Sequence, residues 1–169
     1  MLLSGLIEIE PNVYKDLRGF FLESYNHAKY KELGVETLFQ QDNHSFSKKG
    51  VLRGMHFQPG QAKLIYCPIG QIFDVVVDIR NESATFGKWQ GFYLDGKGHK
   101  QLFIPDGFAH GFCVLSDEAH VMYKVSTLFN KDLERGFSWN DPSVGIKWPV
   151  ENPIISERDS SAANMRLVV

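Results

Sequence analysis

QIFDVVVDIR, residues 71–80, sets Phe73, Val75, Val77 and Ile79 on one alternation and Asp74, Val76, Asp78 and Arg80 on the other. A period of two sends successive side chains to opposite faces, so the stretch reads as a β-strand with one face buried. HVMYKVSTLF, residues 120–129, repeats it, with Val121, Tyr123 and Val125 on one face and His120, Lys124 and Ser126 on the other. KLIYCPIG, residues 63–70, reads as a strand running into a Pro-Ile-Gly turn. The apolar runs GFYLD, KQLFIP and HGFCVLS are separated by Gly-Lys-Gly, Pro-Asp-Gly and Ser-Asp-Glu, each a turn composition. Strands at such spacing predict an all-β sandwich or barrel. Helical patterning is confined to HAKYKELG, with a further turn near NKDLERG. The prolines of WPVENPIISERDSSAANMRLVV, residues 148–169, mark an irregular tail laid over the body.

The chain has 169 residues, of which 43% are hydrophobic, enough for one compact domain over residues 1–169. A formal net charge of −2 carries no electrostatic footprint for nucleic acid or an anionic membrane. The start lacks a basic, apolar leader pattern, and no stretch approaches the roughly 20 apolar residues that span a bilayer, so a cytoplasmic location is expected. Cys67 and Cys113 have neither C-x-x-C nor zinc-ligand spacing and read as two buried thiols.

A sandwich can fill its interior or leave one end open as a ligand cavity, and inward polar residues discriminate between the two. Tyr123 lies on the apolar face of its strand, where a buried phenol bonded to a neighbour is the ordinary reading. His56 shares a face with Leu52 and Gly54, and a lone histidine there is more often structural than catalytic. Strict alternation puts Arg53 on the other face, so the two share a site only if Gly54 marks a bulge or bend. His110, between Ala109 and Gly111, sits where the backbone can approach something closely. Neither histidine belongs to an H-x-H pair, which argues against a metal.

DLRGFFLES, QDNHS, VLRGMHFQ, AKL, FDVVVDIR, IPDGFAHGF, the Tyr-Lys of MYKVS, WNDPSVGIKWP and SERD follow one another along the chain. In that order and near-spacing they resemble the dTDP-4-dehydrorhamnose 3,5-epimerase family over almost the whole sequence. The resemblance implies a cupin-type jelly roll, a homodimer, and catalysis with no metal or organic cofactor. It implies a nucleoside-diphosphate 4-keto sugar as substrate, epimerised through an enolate at C3, C5 or both, the alternative being a single-position epimerase on another nucleotide-linked 4-keto sugar. By similarity His56 is the base, Asp159 the carboxylate that fixes its tautomer, Lys63 the cation at the keto oxygen and Tyr123 the acid on the opposite face. Each role suits its group: an imidazole titrates near neutrality and an ammonium stabilises an enolate. Arg18, Glu23, Gln41, Asn43, Arg53, His110, Glu134 and Arg158 match substrate-binding positions, some reaching in from the neighbouring subunit. Guanidinium forks suit diphosphate oxygens. Without the resemblance Asp159 reads as a solvated tail residue, Arg18 as a surface turn, and Phe20 and Phe21 as core.

Three departures from the family pattern bear on the nucleobase and on which carbon is inverted. The loop between His56 and Lys63 is shorter than the common form, His120 stands where an acidic residue is frequent, and Leu128-Phe129 replaces two tyrosines. Two rival classes share the fold. A metal-dependent cupin oxygenase needs three or four ligands and an H-x-H start, which the chain lacks. A non-catalytic sugar-nucleotide module would keep the arginines and lose the acid or the base, whereas His56, Lys63, Tyr123 and Asp159 are all present.

Overall fold

The computed structural model describes residues 3–169. Twelve strands follow in chain order: β1 Ile7–Ile9, β2 Val13–Asp16, β3 Gly19–Leu22, β4 Gln41–Lys48, β5 Leu52–Phe57, β6 Lys63–Ile69, β7 Gln71–Asp78, β8 Trp89–Asp95, β9 Gln101–Ile104, β10 Phe108–Val114, β11 Glu118–Val125 and β12 Arg135–Gly136. Helix α1, His27–Glu32, lies between β3 and β4, and the four-residue α2, Glu157–Ser160, follows β12.

Two five-stranded sheets, ordered β1-β9-β6-β11-β4 and β12-β5-β10-β7-β8, face each other in a jelly roll; β2 and β3 form a separate hairpin. Every strand pairing is antiparallel. That is the all-β architecture expected from the period-two signal. Ile65, Val121, Leu102, Ile72 and Val76 fill the space between the sheets. α1 covers the outer face of the first sheet, Tyr30 and Val35 packing with Leu64 and Phe103. Among the described residues no helix is long and apolar enough to cross a membrane. Cys67 and Cys113 are free and buried.

The structure corrects one expectation about β7, which buries both faces rather than one. Ile72 and Val76 join the inner core, while Phe73, Val75 and Val77 pack outward against Trp139, Trp148, Val150 and Ile155 of the C-terminal segment. Burying each such aliphatic side chain contributes about 1.5–3 kcal/mol, so the tail is a structural layer. Asp74 and Asp78, expected to face water, are fully buried. Phe20 and Phe21, core by default from the sequence, are 58% and 66% exposed because β2 and β3 form a two-stranded hairpin apart from both five-stranded sheets.

Candidate active site

A cavity of about 580 Å³ opens between the sheets. β5 contributes Arg53 and His56, β6 Lys63, β10 His110, β11 Tyr123, and β4 Gln41 and Asn43. Glu134 reaches it from the turn before β12, and Arg158 and Asp159 from α2. Arg18 and Glu23 are not brought to the cavity. Arg18 bonds Asp16 at 2.6 Å on the exposed hairpin, and Glu23 bonds Lys29 and Asn26.

Arg53 and His56 share the cavity because β5 carries one extra residue against β10. His110 pairs with His56 and Phe112 with Arg53, a shift across which Gly54 and Met55 of β5 oppose Gly111 alone on β10. Gly54 permits it. Its φ is +134°, and a Cβ there would meet Gly111 Cα at 2.6 Å, so only glycine lets the two backbones approach. Leu52, Met55 and Phe57 then turn outward beneath the C-terminal segment.

That segment also supplies the partner of His56. Ser156 caps α2 by accepting the Asp159 N–H at 3.1 Å, which directs the Asp159 side chain back toward β5. Asp159 Oδ1 lies 2.7 Å from His56 Nε2, and Oδ2 accepts the Gly54 N–H at 3.3 Å. Far from being a solvated tail residue, Asp159 is 4% exposed. Burial opposes its ionisation, but the hydrogen bond and charge of His56, with bonds from Gly54 and Ser156, outweigh it and hold the carboxyl below its ordinary value. A carboxylate on Nε2 fixes the proton there, and Nδ1 is left as the basic nitrogen.

Lys63 is 8% exposed, and its Nζ donates to the His56 carbonyl at 3.4 Å. Burial pulls its pKa down to about 8 against the attraction of Glu134 and Asp74. Tyr123 packs its ring against the inner core. Burial raises its phenol, Arg53 offsets part of that rise and Glu134 adds to it, so at neutral pH the group is a protonated donor. Arg53 is steered by Ser47, which accepts its Nε–H at 3.0 Å, and Arg158 bonds Glu134 at 2.5 Å.

Asp74 escaped the reading of the sequence. Its Oδ2 lies 2.7 Å from His110 Nε2, and its Oδ1 is a buried atom with no hydrogen-bond partner among the described residues. The available signal was an acidic residue in an otherwise aliphatic stretch. Two of the three departures separate in space. Phe129 lines the cavity, whereas His120 points to the outer face, its Nδ1 2.8 Å from His44 Nε2. Among the described residues no three His, Cys, Asp or Glu side chains gather as a metal-holding group.

Residues 1–166 match the family model described as dTDP-4-dehydrorhamnose 3,5-epimerase. The chain belongs to that family. It is 53% identical over 161 residues to a dTDP-4-dehydrorhamnose 3,5-epimerase of Shigella flexneri, covering 93% of this chain and 89% of the relative. Among solved structures it is similar to the dTDP-6-deoxy-D-glucose-3,5-epimerase of Legionella pneumophila in complex with dTDP-4-keto-L-rhamnose. That likeness has a TM-score of 0.95 and 44% identity, over 99% of this chain and 91% of that one. A dTDP-4-dehydrorhamnose 3-epimerase of Streptomyces niveus is 40% identical over 164 residues, 95% of this chain and 79% of the relative. The epimerase family thus includes members named for one carbon and for two.

Proposed function

We propose that the protein is a dTDP-4-dehydrorhamnose 3,5-epimerase, acting on a dTDP-linked 4-keto-6-deoxy sugar. The observation that carries this reading is the convergence of an imidazole–carboxylate pair, a buried ammonium and a protonated phenol on one cavity. His56 Nδ1 takes the proton from C3, and the C–H electron pair moves into the carbonyl to form the enolate at O4. The Lys63 ammonium stabilises that oxygen in a site where burial strengthens the attraction. Tyr123 then delivers a proton to the opposite face of the carbon, and water restores the protonation of phenol and imidazole. The same cycle at C5 produces the L-sugar. Higher identity to the Shigella flexneri 3,5-epimerase than to the Streptomyces niveus 3-epimerase favours inversion at both carbons. Arg53 and Arg158 present forked donors suited to the diphosphate.

The functional unit in this reading is a homodimer. An isolated two-stranded hairpin is marginal in water, and β2–β3 exposes Tyr14, Phe20 and Phe21. β4 closes one sheet with an edge that no other strand pairs among the described residues. A second copy supplies the missing surface, and the hairpin's Arg18 enters the neighbour's cavity.

The deciding experiment follows dTDP-4-dehydro-6-deoxy-D-glucose by NMR in heavy water. Deuterium should enter at C3 and C5 with the wild-type protein, and His56→Ala should slow both by at least the roughly 10²–10⁴-fold of general acid–base catalysis. Exchange in that variant at the wild-type rate would remove His56 as the base.

A further inference from the structure

Past Val125 the chain leaves β11 as residues 126–130, which bring Phe129 to the cavity; the Ser126 N–H donates to the Ala62 carbonyl at 3.0 Å, and beyond it no strand lies alongside to take the backbone hydrogen bonds. Its apolar side chains do not hold it down either, since Leu128 is 62% exposed and Phe129 55% exposed. Glutamine side chains serve the backbone instead. Gln40 donates to the Ser126 carbonyl at 2.7 Å and Gln61 to the Thr127 carbonyl at 3.2 Å. Gln41 accepts the Phe129 N–H at 3.1 Å. Gln58 does the most: its Nε2 donates to the Leu128 carbonyl at 3.1 Å and to the Thr127 hydroxyl at 3.0 Å, and its Oε1 accepts the Asn130 N–H at 2.9 Å.

Gln58 differs from the other three in being 5% exposed. It follows β5 directly, two residues past His56, so its amide ties the segment to the strand that carries the base. Bonds made out of water are the ones whose loss is felt, because a partner left behind has no solvent to turn to. Phe129, which this segment carries into the cavity wall, is its exposed aromatic surface; of the other aromatic lining residues Phe112 is buried and Tyr123 is packed against the core. A flat ring held still is a binding surface for a base, and one on a loose segment must first be ordered at the expense of affinity.

We infer that Gln58 is a positioning residue for nucleotide binding, its buried amide fixing residues 127–130 as the wall against which the substrate's nucleoside is held. The inference rests on the sugar-nucleotide reading above. It separates binding from chemistry, because Gln58 bonds the wall and none of the groups given a role in proton transfer.

Gln58→Met keeps the length of the side chain and removes the amide. Its KM for the dTDP-sugar and its Kd for dTDP by calorimetry should each rise about tenfold, with kcat within about twofold of wild type, the pattern of lost uniform binding. Thr127→Val deletes one accepting hydroxyl and should raise both constants about threefold; it carries the test alone if Gln58→Met does not fold. A wild-type protein that binds dTDP beside variants of unchanged Kd would overturn this inference only, as would a loss confined to kcat. A wild-type protein that does not bind dTDP would overturn the sugar-nucleotide reading and this inference with it.

Discussion

Lys63 is a group whose removal should make the protein more stable and nearly inactive. Its ammonium ionises near 10.5 in an ordinary setting and near 8 in the fold, where burial penalises the charge. The difference of about 2.5 units, at 1.36 kcal/mol per unit, means that holding the charged form in the folded state costs about 3 kcal/mol at pH 7. The attraction of Glu134 and Asp74 works against that shift and is already contained in it. Lys63→Met keeps the chain length and the packing and removes the charge. At roughly 2–4 °C per kcal/mol for a chain of this size, its Tm should rise by about 6–12 °C. The sign with pH follows from proton counts. Between 8 and 10.5 the unfolded chain binds the proton that the folded protein has lost, so the wild type gains stability as pH rises through that window. The advantage of the variant should therefore be full near pH 7 and largely gone near pH 10.5. Calorimetry of both proteins at matched concentration reads the difference directly, and turnover of the dTDP-sugar should fall by at least the roughly 10²-fold expected when an oxyanion donor is removed. A Lys63→Met variant less stable than wild type at pH 7, or a difference that does not change with pH, would refute the reasoning.

Since the enolate needs the ammonium form, wild-type kcat/KM should decline as pH rises past about 8, and Lys63→Arg, if active, should move that limb upward. Tyr123→Phe should still exchange solvent deuterium into the sugar while inverting it far more slowly, most visibly at C5; equal losses of exchange and inversion would show that the phenol acts before the enolate forms. In light scattering at micromolar concentration the protein should be a dimer, and a fully active monomer would sink the role given to the partner's hairpin.

What can be read from the sequence is whatever is local. Alternation along residues 71–80 and 120–129 marks strands because the pleat repeats every two residues, and the structure has strands at Gln71–Asp78 and Glu118–Val125, the second ending four residues before the stretch does. Alternation cannot say what covers the second face. β7 reads as half-exposed because alternation does not say which face meets the opposite sheet: the face of Phe73, Val75 and Val77 is covered by the distant segment around Trp148 and Ile155, while Asp74 shares the inner face with Ile72 and Val76, where His110 receives it. Arg53 and His56 come together only through the bulge of β5, which the positive φ of Gly54 makes possible and the letter G merely permits. Asp159 is beyond any pattern, because its meaning comes from a contact with β5 and not from its neighbours in SERD. Nothing local marks Gln58, because its partners include backbone groups of a segment with no regular structure.

The His56–Asp159 contact spans 103 positions of the chain. During synthesis at about 5–20 residues per second, the histidine therefore emerges roughly 5–20 s before the carboxylate that orients it. Through that interval the strands from β6 to β12 are still being made, and the base has no fixed tautomer. A chain stopped short of α2 lacks Arg158 as well as Asp159 at the cavity, so competence arrives with one of the last pieces to be made.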